Sequence, residues 1–164
     1  MKKLTHILLT FVFQALLLHG QDRSSTEINV SVIIKDYIEI TTISDIDAGS
    51  VTPSSDILRI DPRTDSGAGI ILLQGQKNKS VVVNYSPIVE MTHSESDMIL
   101  VVNYEVSGSE ENIQSNSTIF LENPEVVQLS DEGEYYLYIG CSFSLEEIRP
   151  GQYDGDFVVE VDYN

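Results

Sequence analysis

The chain has one cysteine, Cys141, no tryptophan, and only 9 lysines and arginines against 26 aspartates and glutamates. A single cysteine excludes an internal disulfide, so stability has to come from core packing and strand pairing. The shortage of cations gives a net charge of −17 and a pI near 4.2. That balance excludes ordinary nucleic-acid binding, which draws its affinity from lysine and arginine, and it opposes adsorption to anionic membrane surfaces. Two of the three histidines, His6 and His19, fall within the first twenty residues, which leaves His93 for the rest. One histidine and one cysteine fall short of the three or four ligands of a zinc site. Long apolar runs are missing as well. The longest, Ile7–Leu18, is broken by Thr10 and Gln14; as a helix it would rise about 18 Å, too short for a hydrocarbon core of about 30 Å.

What is present at the N-terminus reads as an address. Met1-Lys2-Lys3 is a short basic segment, the apolar run follows, and Gly20 supplies a small residue before Gln21. Residues 1–20 are therefore expected to be a secretory signal peptide. Removing them leaves 7 basic against 26 acidic residues, a net charge of −19, with His93 the sole histidine. An exported protein without membrane insertion after cleavage follows, residing in the periplasm, on the outer cell surface or outside the cell.

Beyond residue 27 apolar side chains alternate in short runs. Ile28, Val30, Val32 and Ile34 share one parity, as do Leu100, Val102, Tyr104 and Val106. Near the C-terminus Tyr153, Phe157, Val159, Val161 and Tyr163 share a face, with Asp154, Asp156, Glu160 and Asp162 opposite. Period two with one solvated face is the pattern of antiparallel strands. Further strands are expected at 57–60, 70–73, 81–85, 119–121, 126–129 and 135–143. Thr52-Pro53-Ser54-Ser55, Asp61-Pro62 to Gly69, Ser107-Gly108-Ser109 and Asp131-Glu132-Gly133 have the composition of turns. Leu145–Ile148 is expected to form one helical turn before Pro150. The reading is all-β: a single antiparallel β-sandwich of about 9–11 short strands over residues 21–164.

Candidate chemistry is sparse. A Cys/His pair would need His93 beside Cys141, yet His93 lies in the polar stretch Met91–Asp97, which reads as a surface loop, and Cys141 lies in a strand pattern. Cys141 reads as a small buried hydrophobe. Carboxylate pairs are too numerous for two-acid glycosidase chemistry to be inferred from them. The weak calcium candidates are Asp61 and Asp65, with Asp45-x-Asp47 and Asp154-Gly155-Asp156 as lesser ones; none has EF-hand spacing, and aspartate capping its own turn is the simpler reading. Asn29, Asn78 and Asn116 head N-x-S/T triplets, unmodified in a bacterial setting. No catalytic residue and no cofactor is assigned.

Two stretches carry a family resemblance. Ile40-Thr41-Thr42-Ile43 through Gly49-Ser50-Val51, Ile60-Asp61-Pro62-Arg63-Thr64-Asp65-Ser66-Gly67 and Ile71-Leu72-Leu73 resemble the opening of a secreted bacterial family known as domain of unknown function 4402. Leu137-Tyr138-Ile139-Gly140 and Pro150-Gly151-Gln152-Tyr153-Asp154-Gly155-Asp156-Phe157-Val158-Val159-Glu160-Val161-Asp162-Tyr163 resemble its ending. Ala48 stands where that family tends to have an aromatic, and Cys141 where it tends to have glycine. The resemblance implies an exported, Ig-like or pilin-like sandwich with no established enzymatic role. The ending also resembles the tail of chaperone–usher pilin subunits, with Gly151 and Tyr163 at that tail's glycine and penultimate tyrosine. On this reading the chain is a cell-surface structural or interaction protein of fimbria-like kind. It would pair with other subunits by strand addition, with residues 28–34 as donor strand. Gly151 and Gly155 would ease the backbone into the last strand, and Tyr153, Phe157, Val159, Val161 and Tyr163 would bury it. An extracellular carbohydrate- or calcium-binding module is the rival reading.

Overall fold

A computed structural model describes residues 37–48 and 56–164. The expected signal peptide, the alternating segment 28–34 and the turn at 52–55 lie outside the described residues. Among those described, eleven strands form two antiparallel sheets. The larger sheet runs β1 (Glu39–Ser44), β3 (Gly69–Gln74), β9 (Glu134–Ser144), β6 (Ile99–Ser109), β5 (Ile88–His93) and β10 (Tyr153–Asp154). Two strands lie off that path: β2 (Ile57–Ile60) beside β9 and β7 (Thr118–Ile119) beside β6. The smaller sheet is β11 (Val159–Tyr163), β4 (Ser80–Tyr85) and β8 (Glu125–Gln128). The chain is an all-β sandwich, as its alternation requires.

The alternating side chains explain why the two sheets pack. Leu100, Val102, Tyr104 and Val106 of β6 and Tyr135, Leu137, Ile139 and Cys141 of β9 share one core with Leu73, Leu58 and Ile60. The smaller sheet closes that core with Val81, Val83 and Val127. Leu137, Leu73, Ile60, Val81 and Val83 are fully buried, each stabilising the fold by roughly 1.5–3 kcal/mol relative to exposure.

The larger sheet is buried on part of its outer face too. After β2 the chain passes over β9 at Gly140, where an added Cβ would meet Ile60 O and the Pro62 ring. The turn 61–68 then lies on the outer face, and Gln114 Nε2 ties it to the 110–117 loop by donating to Pro62 O at 3.0 Å and Asp65 O at 2.8 Å. Together they bury Tyr138, whose hydroxyl donates to Asn112 Oδ1 at 3.1 Å. A buried Ser107–Ser117 hydroxyl pair, 2.8 Å apart, lies on the same side.

Four expectations are corrected. Ser107-Gly108-Ser109 is not a turn but the end of β6; Gly108 faces the core, and the Tyr135 ring lies where its side chain would be. Leu145–Ile148 forms a non-helical turn, with Glu147 at φ +58. His93, read as a loop residue, ends β5 and is 3% exposed. Residues 153–163 are not one strand. Tyr153–Asp154 pairs with β5 in the larger sheet, and Val159–Tyr163 pairs with β4 in the smaller. The crossing occurs at Gly155, whose missing side chain lets the backbone pass Met91 and Glu90 O.

Parity on β11 can be tested directly. Val159 packs against the core and Glu160 is exposed on the other face. Val159→Asp is expected to cost about 3 kcal/mol or more by burying an unpaired carboxylate. Glu160→Val is expected to stay within about 0.5 kcal/mol of wild type in urea unfolding. Equal effects would overturn the assignment of faces.

Candidate functional site

The two sheets do not end flush. β1 is the outermost strand of the larger sheet and β11 an outer strand of the smaller one. Between them the sandwich opens into a cleft of about 380 Å³. Ile40, Ile46, Ile71, Ile139, Phe157 and Val159 give it apolar walls, and among the described residues Asp45 is its one charged lining residue. β1 is exposed along almost its whole length, with Ile40 43% and Ile43 48% exposed. Its pairing with β3 slips between Thr42 and Ser44, a bulge of the sort that twists an edge strand away from unwanted partners. Gly69 admits Ile46 to the cleft, since a Cβ there would sit 2.9 Å from Ile46 Cγ1. Phe157 forms the inner wall by stacking on Tyr104, ring centroids 4.4 Å apart. Among the described residues its lining holds no nucleophile–base pair, and β1 and β11 are each paired on one side only, an arrangement that suits an extended segment with alternating side chains.

The remaining sequence-chosen residues fall elsewhere. Asp61 and Asp65 bind their own turn: Arg63 N donates to Asp61 Oδ1 at 2.8 Å and Asp61 N to Asp65 Oδ2 at 2.6 Å. This is the capping role aspartate commonly takes in turns. Asp47 N donates to Gly67 O at 2.9 Å, and Asp154 Oδ1 accepts from Gln152 Nε2 at 2.8 Å. Among the described residues no three His, Cys, Asp or Glu side chains gather where a metal ion could be held. Nor does any described helix have the length and apolarity to cross a membrane.

Gly151 is a contact point. A side chain there would strike the His93 ring. That ring accepts from Glu95 N at Nδ1, 3.0 Å away, places Nε2 3.4 Å from Pro150 O, and meets Tyr153 edge-on at 4.9 Å. The acceptor role of Nδ1 puts the ring proton on Nε2. Tyr153 Oη in turn donates to Arg149 O at 2.9 Å. Tyr163 is the matching clasp of β11: its hydroxyl accepts from Gln76 N at 2.8 Å and reaches Tyr37 O at 3.2 Å. Val161 and Tyr163 are half-buried against the core. The cleft residues Ile46, Ile71 and Ile139 escaped the sequence reading as site residues. Ile71 and Ile139 fall in expected strands and Ile46 inside the Asp45-x-Asp47 loop, and only the uneven ending of the two sheets brings them together.

Cys141 and the tyrosines carry the strongest electrostatic shifts. Burial pushes the Cys141 thiol up to about 11 and the Tyr135 phenol up to about 12, the latter helped by Glu110 and Glu125. Burial also raises Tyr104, with Cys141 adding to it, and Tyr85, with Glu105 and Glu125 adding. A protonated thiol facing the core is inert as a nucleophile.

These shifts fix the sign of the alkaline response. A group whose folded pKa lies above its unfolded one contributes stability that is complete below the unfolded value and lost as pH climbs through the folded one. For Cys141 that window runs from 9.0 to about 11, and for Tyr135 from 10.0 to about 12. Stability is therefore expected to fall steadily above pH 9, and Tyr135→Phe is expected to flatten the decline above pH 10 in urea titrations at fixed ionic strength. A decline unchanged in that variant would sink the assignment.

No protein-family model and no curated protein sequence matches the chain, so its function is read from its own residues.

Proposed function

We propose that this protein is an exported bacterial cell-surface structural or interaction protein, of fimbria-like kind, that works by strand addition rather than bond-making. The observation carrying this reading is the apolar cleft between β1 and β11, flanked by an outer strand of each sheet. An added strand gains affinity from backbone hydrogen bonds and specificity from alternate side chains entering pockets. The cleft supplies both. Its floor is apolar where alternate side chains would enter, and Thr41 and Thr42 on β1 keep the rim uncharged. The segment Glu27–Ile34, outside the described residues, has matching alternation in Ile28, Val30, Val32 and Ile34. It is the donor in this reading, to the cleft of the next copy. The resemblance to the secreted 4402 family and to pilin tails agrees with such a role.

The test adds a synthetic peptide copying residues 27–34 to the purified full chain. Occupation of the cleft is expected to raise the melting temperature progressively, with the logarithm of peptide concentration once it exceeds the dissociation constant, as any ligand of the native state does. A scrambled peptide is expected to leave it unchanged. Ile40→Asp, at the half-exposed rim, is expected to abolish the response while the variant still unfolds cooperatively. A wild-type chain that stays monomeric and ignores the peptide at about 1 mM, near the weak limit of useful affinity, would overturn strand addition.

A further inference from the structure

The turn 61–68 and the 110–117 loop cover one end of the larger sheet's outer face and leave the other end bare. At that end Ile57, Ile88, Ile99 and Val101 are 54%, 59%, 52% and 47% exposed. They stand on β2, β5 and β6, with Ser142 and Ser144 of β9 between them in register. The face carries little net charge. Arg59 holds Glu105 at 2.6 Å, which leaves Glu90 and, beside Thr92 at the β10 margin, Asp154 as its other acids, in a chain of net charge −17.

We propose that this face is a contact surface between two copies of this chain, packed sheet to sheet. Charge selects the occupant. A cationic partner would be drawn to acidic ground such as Glu110, Glu111, Asp131, Glu132 and Glu134, which line a separate hollow at the covered end, not to this more weakly charged face. A second copy has the opposite preference. Like charges repel wherever acids meet, and this is where two such molecules approach at least cost. The shape agrees, because β-branched side chains on a bare sheet are the material from which sheets pack about 10 Å apart. Size then sets the strength. Four strands at about 4.8 Å spacing and about 3.3 Å per residue give a footprint of some 400–500 Å² per copy. That is short of the roughly 800 Å² per partner of a standard interface. The contact is weak, and it matters where copies are crowded or held side by side.

Sedimentation velocity of the purified full chain tests this, up to about 1 mM and at about 20 mM and 500 mM NaCl. A reversible dimer is expected, tightened about fivefold by salt as the repulsion between acidic rims is screened. Val101→Glu and, separately, Ile88→Glu are each expected to weaken it at least about tenfold, since a two-fold contact meets the new charge twice. Their melting temperatures should stay at the wild-type value, because both side chains point away from the core. Val126→Glu, on an exposed position of the smaller sheet, is expected to leave the dimer intact. A chain monomeric under every condition, a dimer that salt loosens, or one that ignores both glutamate variants would overturn the proposal. A dimer abolished by the 27–34 peptide but untouched by Val101→Glu would place self-association in the β1–β11 cleft instead.

Discussion

Everything in this sandwich hangs from the pairing of β6 with β9. They are the longest strands, eleven residues each, joined in continuous register from Asn103 opposite Ser142 to Ser109 opposite Tyr136. Their inward rows supply about half of the buried core, and every other strand of the larger sheet attaches to one or the other directly or through a neighbour. Such a ladder needs close backbone approach at two points. At Gly108 the Tyr135 ring packs onto bare backbone, and at Gly140 the chain leaving β2 crosses over β9. A side chain at either position would push apart the layers that the ladder aligns.

Because the centre is so well ordered, the edges hold what freedom remains. The last segment is shared between sheets: two residues pair with β5, then the chain crosses at Gly155 and five more pair with β4. β11 is thereby fixed on one side, by its ladder to β4 and by the Tyr163 hydroxyl, and borders the cleft on the other. β1 is similarly held by β3 alone among the described strands. An outer strand of low charge beside an apolar trough is either a liability or a binding device. The bulge at Ile43 limits indiscriminate pairing without closing the trough.

Much of this was legible in the residues. Leu100, Val102, Tyr104 and Val106 announced both the strand and its inward face, because a half-buried strand writes its environment in period two. The turns at 61–69 and 131–133 were equally plain from their Asp, Pro and Gly content. The errors share a physical origin. Gly108, His93 and the 153–163 run were judged from local composition, and each is decided by something distant in sequence. For Gly108 that is the Tyr135 ring, for His93 the backbone at Gly151 and Pro150, and for Tyr153 and Val159 two different partner strands. The cleft was invisible for the same reason. Ile46, Ile139 and Phe157 are ordinary apolar residues, and only the uneven ending of two sheets turns them into a surface.

The acidic composition acquires a meaning once edges and faces, rather than a pocket, are taken as the working parts. Backbone edges and apolar sheet faces are indiscriminate: they pair with anything extended or flat. In the proposed self-contact a net charge of −17 would supply the discrimination, since like charges repel at encounter distances comparable to the screening length of about 8–10 Å and favour approach over weakly charged ground. Where that ground lies is set by placement of a few charges. Arg59 neutralises Glu105 on the outer face, and Asp45 is the single charge lining the cleft among the described residues. Apart from those that bind their own turns, such as Asp61 and Asp65, the acids lie outside the core and could be spread evenly without disturbing it. A surface so arranged would lose the preferred approach on which the proposed self-contact depends.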